Sequence, residues 1–79
     1  QLYTMLDIKQ YIEINSEVRF GKPCIKGTRI AVQDILEWLS NNMSHQEILE
    51  DFPQLTNNDI LAALAFAANR EKIATLVSV

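Results

Sequence analysis

Between Val32 and Arg70 the sequence carries so many helix starts and stops that three closely linked helices are almost the only course open to it. Val32, Ile35, Leu36 and Leu39 fall at i, i+3, i+4 and i+7, the apolar stripe of an amphipathic helix. Asp34 stands in its first turn, where the helix dipole favours negative charge. Asn41-Asn42 ends it, since asparagine tolerates the left-handed conformation of a helix exit. Ser44 and Glu47 have capping-box spacing, and Met43 with Ile48 supplies a hydrophobic staple for a second helix. That helix is short, because Pro53 disfavours helical geometry at Phe52. Thr56, with Asp59 three residues on, starts a third helix expected to end near Arg70–Ile73. Helices joined by two tight turns in this order are compatible with a tri-helical helix-turn-helix fold.

Upstream the pattern changes. Tyr11-Ile12-Glu13-Ile14 reads as a short strand, Asn15-Ser16 as a turn, and Val18-Arg19-Phe20 as a second strand. Gly21, Pro23 and Gly27 then break the chain repeatedly, leaving Cys24-Ile25 and Arg29-Ile30-Ala31 as short extended pieces. The expected fold is mainly α, a short N-terminal β element followed by a tri-helical helix-turn-helix-like bundle. All of it forms one domain, with a β-rich basic arm over 1–31, a helical core over 32–72 and a tail over 73–79.

Composition narrows the functional classes. At 79 residues and 48% hydrophobic, the chain is one small domain with enough apolar content for a packed core. Its net charge of −3 argues against a protein that coats nucleic acid non-specifically. Cys24 is the single cysteine, so neither an intramolecular disulfide nor a zinc cluster is expected, and a reducing cytoplasm fits. The longest apolar run, Ile60–Ala68, is too short to span a bilayer, and no signal peptide is expected. His45 has no companion at ligand spacing, Glu47, Glu50 and Asp51 read as a solvated face, and G-x-x-x-x-G-K-[ST] is absent. No catalytic residue, metal site or cofactor is therefore expected, and the protein reads as a non-enzyme.

A longer pattern adds to this. The run Arg19-Phe20-Gly21-Lys22-Pro23-Cys24-Ile25-Lys26-Gly27-Thr28-Arg29-Ile30-Ala31-Val32 resembles the signature of the family known as domain of unknown function 433. The resemblance continues through Ser44, Glu47-Ile48-Leu49, Asp51-Phe52-Pro53-Gln54-Leu55-Thr56, Asp59-Ile60 and Ala62-Ala63-Leu64, covering roughly residues 12–69. It departs at Asn42, where the family usually has glycine, and at Ala31, where proline is frequent. What the resemblance implies is a homeodomain-like or winged-helix-like fold. It also implies an antitoxin-like protein, able to pair with a PIN-like nuclease toxin and to bind operator DNA.

Two surfaces can carry such a role. Arg19, Lys22, Lys26 and Arg29 lie within one acid-free stretch, as contact with a phosphate backbone requires. For Arg29 a structural pairing with Asp34 or Glu37 is an equal reading. Thr56, Asn57 and Asn58 open the third helix, where they can read base edges or merely cap it. The second surface is apolar. Leu61, Ala65 and Phe66, with Ile73, Leu76 and Val77 of the tail, form a candidate partner interface, and a homo-oligomer, most simply a dimer, is expected. Trp38 reads as core edge or interface anchor, and Cys24 as a small buried hydrophobe. The sequence thus supports a DNA-binding antitoxin, or alternatively a protein-interaction module acting through the third helix and tail without DNA.

Overall fold

The computed structural model describes the backbone of residues 7–78 and the side chains of residues 7–70. It is mainly helical, with a two-stranded sheet near the N-terminus. A one-turn helix α1 (Ile8–Tyr11), capped by the Asp7 carboxylate on the Lys9 amide, leads into β1 (Ile12–Glu13). β2 (Cys24–Ile25) pairs antiparallel with β1, Ile12 opposite Ile25 and Glu13 opposite Cys24. The strand expected over Tyr11–Ile14 is thus half that length, because Tyr11 closes the helical turn and Ile14 faces solvent.

The second expected strand, Val18–Phe20, is not one. Arg19–Gly21 forms a 3₁₀ turn, with Arg19, Phe20 and Gly21 all left-handed at φ of 51°, 59° and 82°. Alternation of residue types pointed to a strand there. The side chain of Arg19 instead reaches forward to the Arg29 carbonyl and the Asp34 carboxylate, and the backbone turns.

The three core helices fall where their punctuation places them. They are α2 (Val32–Ser40), α3 (His45–Asp51) and α4 (Asn57–Ser78). Asn42 takes φ 73° at the exit of α2, and Ser44 and Glu47 form their reciprocal capping box on α3. Thr56 and Asp59 repeat that exchange at the start of α4, each side chain accepting from the other's backbone amide. Each helix gives one isoleucine to the centre: Ile35, Ile48 and Ile60 are fully buried. A fully buried isoleucine contributes roughly 1.5–3 kcal/mol, so these three anchor the bundle. Ile12, Ile25, Ile30, Val32 and Leu55 close the core around them, and the Trp38 ring stacks on Phe52 at 4.2 Å at its edge.

α4 runs past the expected end at Arg70–Ile73 to Ser78. No glycine or proline follows Pro53 to stop it. The interface expected from the side chains of Ile73, Leu76 and Val77 lies outside the described residues. Among the described residues, no helix is long and apolar enough to cross a membrane.

Candidate functional site

The basic stretch is divided by the fold. Arg19 is tied down: its guanidinium donates to the Asp34 carboxylate at 2.9 Å and to the Arg29 carbonyl at 2.7 Å. Asp34 also accepts from the amide of Ala31 at 3.0 Å, which starts α2 where alanine has no side chain to cap it. Partial burial pushes the Asp34 carboxyl upward. The bond from Arg19, the Ala31 amide and the charges of Arg19 and Lys22 outweigh that, and the carboxyl ends below its ordinary range. The arginine pairing that the sequence suggested for Arg29 is therefore made by Arg19, and Arg29 is exposed.

Lys22 and Lys26 are exposed too, on either side of β2. Lys22 borders a cleft shared with Arg70. Lys26 sits at the other end of β2, its amide donating to the Tyr11 carbonyl at 2.8 Å, while the Tyr11 hydroxyl accepts from Asn58 at 3.4 Å. Thr56, Asn57 and Asn58 are exposed at the start of α4, each with an intramolecular partner: Asp59, His45 at 3.3 Å and Tyr11 respectively. Exposed Glu47, Glu50 and Asp51 on the neighbouring α3 give this corner a negative character. Among the described residues, no group of three histidine, cysteine or carboxylate side chains converges as a metal site would require, and Cys24 is buried as a free thiol.

α4 has two faces. Asp59, Ile60, Ala62 and Ala63 are buried against the core. Leu61 and Leu64 remain 39% and 38% exposed, and with half-buried Ala65 and exposed Ala68 they recur at i, i+3, i+4 and i+7. This is the stripe of an amphipathic helix turned outward. Of the residues the sequence assigned to a partner interface, Leu61 and Ala65 lie on it. Phe66 does not: it is half-buried on another side of α4, packed against the core, with the Arg70 guanidinium 5.5 Å from its ring centre. Leu64 and Ala68 were legible as partners of Leu61 from spacing alone, once the helix was known to bury only one side.

The remaining feature is Phe20, whose ring is 99% exposed although its backbone is left-handed. A non-glycine residue in that conformation costs about 1–2 kcal/mol, and exposing a phenyl ring adds nothing to offset it. Such strain concentrates at binding and switch sites. Phe20 stands at the mouth of a cleft of about 710 Å³ between the 3₁₀ turn, the start of α2 and the middle of α4. Sequence reading missed Phe20 because it placed the residue in a strand; its one signal was a large aromatic just before a turn glycine.

A crystal structure of a DUF433 member protein from Anabaena variabilis ATCC 29413 is similar to this chain, with a TM-score of 0.73 and 26% identity. The match covers 99% of this chain and 78% of that one. No curated protein matches. The family description matching residues 12–67 is that of a protein of unknown function, and by that match the chain belongs to the DUF433 family.

Proposed function

We propose that the protein is a non-enzymatic assembly module. It associates with a second copy of itself through the outward face of α4 and, in the antitoxin manner its sequence resemblance implies, holds a partner protein such as a PIN-like toxin. The observation that carries this reading is the Leu61, Leu64, Ala65, Ala68 stripe, apolar along two turns of a helix whose opposite face already fills the core. A 22-residue helix spans about 33 Å, long enough to lie against its counterpart over several turns. The occupant best matched to such a face is its own copy. The stripe carries no charge for another partner to complement, and a twofold pairing sets identical apolar patches together. A domain this small also gains stability by burying them.

Operator DNA is the second reading. It is favoured by the turn between α3 and α4, which leaves Thr56, Asn57 and Asn58 exposed. The exposed acids of α3 oppose it. Isolated affinity is accordingly expected to be weak, and to rise when a partner multiplies the sites.

Sedimentation equilibrium tests the first reading. A dimer at roughly tens of micromolar that Leu64→Glu converts to a folded monomer supports it; a wild-type monomer overturns it. Gel shift of the DNA upstream of its gene tests the second. Loss of operator discrimination by about 1–3 kcal/mol in Asn57→Ala or Asn58→Ala supports direct base readout. The absence of any shift at low salt, with or without the neighbouring gene product, removes DNA from the account.

A further inference from the structure

We infer that the cleft beneath Phe20 is a second docking site, for a partner polypeptide segment in which a large apolar side chain is flanked by carboxylates. Its volume, about 710 Å³, lies within the range of formed ligand sites. Its apolar lining includes Val32, Leu36 and Phe66. Among the described residues, the charged ones lining it are Lys22 and Arg70, and no acid lines the cleft. The nearby Asp34 carboxylate is already engaged by Arg19 and the Ala31 amide. An apolar lining with two exposed cations selects an amphiphile with negative charge at its edges.

Phe20 argues that the occupant is a polypeptide rather than a small molecule. A small ligand in the cleft leaves the outer surface of the ring in water. A partner chain passing over the mouth covers it, and aromatic side chains enclosed in this way are typical energetic centres of interfaces. The Arg19–Asp34 bond holds the strained turn in place before binding, so ordering the ring takes less from the binding energy. A single nucleic-acid strand also stacks on aromatics, but it needs a track of cations along its backbone. Among the described residues the cleft offers Lys22 and Arg70 alone, too few for such a track.

This site is separate from the α4 stripe, and the two can fail separately. The test is an amide-resolved NMR titration of the full chain, done on wild type and on Leu64→Glu. The probes are a short peptide with Phe between two Glu pairs, its Gln counterpart, its Lys counterpart and oligothymidylate. The expected result is shifts at Phe20, Lys22, Leu36 and Phe66 with the Glu peptide alone, in both proteins. Lys22→Glu is expected to weaken that binding by about tenfold, while Lys26→Glu leaves it unchanged. Phe20→Ser, which removes a fully exposed ring and leaves the fold intact, is expected to abolish it. Equal binding of the Gln peptide, shifts confined to Leu61 and Leu64, binding of oligothymidylate but not peptide, or no binding at all overturns the inference.

Discussion

Replacing Phe20 by asparagine is expected to make the protein more stable while removing a function. At φ 59° and ψ 34°, Phe20 sits in a conformation that asparagine adopts far more readily. The left-handed penalty for an ordinary residue is about 1–2 kcal/mol, and asparagine recovers roughly 0.5–1 kcal/mol of it. Nothing is lost in exchange, because the ring is 99% exposed and buries no apolar surface. For a domain of this size that gain raises Tm by about 2–8 °C. Thermal unfolding followed by circular dichroism, at one fixed low concentration so that self-association does not enter, reads the change directly. The same variant is expected to lose the acidic-peptide shifts at the cleft. A stabilising substitution that erases binding is the mark of strain kept for function. A fall in Tm of more than about 3 °C refutes the reasoning, since the ring must then be packed against something in the folded protein.

Asp34 gives a pH signature. Its folded carboxyl lies below the ordinary range, so its stabilising contribution is present above the unfolded value near 3.9 and is lost as pH falls through the folded one. Asp34→Asn is therefore expected to flatten the loss of stability below about pH 4, measured as chemical-denaturation midpoints across pH, and to speed amide exchange at Gly21 and Lys22, whose amides donate within the Arg19 turn. Ile48→Ala, at a site with no exposed surface and one isoleucine from each neighbouring helix, is expected to cost about 2–5 kcal/mol in urea unfolding. Thr56→Ala is expected to cost about 1 kcal/mol through the lost cap of α4. A greater effect of Thr56→Ala on operator binding than on stability would instead mark it as a DNA contact.

The helical half was legible because its signals are local. Ser44 with Glu47, Thr56 with Asp59, and Asn42 at a left-handed exit each act within four residues, and each appears in the structure as the sequence implied. The N-terminal half was less legible because its geometry is set at long range. The turn at Arg19–Gly21 depends on Asp34, fifteen positions away, and residue alternation at Val18–Phe20 pointed to a strand instead. The same contact moved the structural arginine from Arg29 to Arg19. Composition showed that Ile60–Ala68 is apolar throughout and carries surplus apolar surface, but not which of its residues face outward. That depended on which elements pack against α4, and the core leaves Leu61 and Leu64 uncovered. Phe66 was assigned to the outward face because its hydrophobicity is plain in sequence while its direction around the helix is not.

The central claim is that the outward face of α4 joins two copies of this chain, and a dilution series of amide NMR spectra tests it most directly. From about 1 mM to about 10 µM, spanning moderate association, the amides of Leu61, Leu64, Ala65 and Ala68 are expected to shift together along one binding curve. The exposed cations Lys22, Lys26 and Arg29 are expected to stay unmoved. Spectra unchanged across the series, or shifts centred on the basic stretch while α4 stays still, contradict the account.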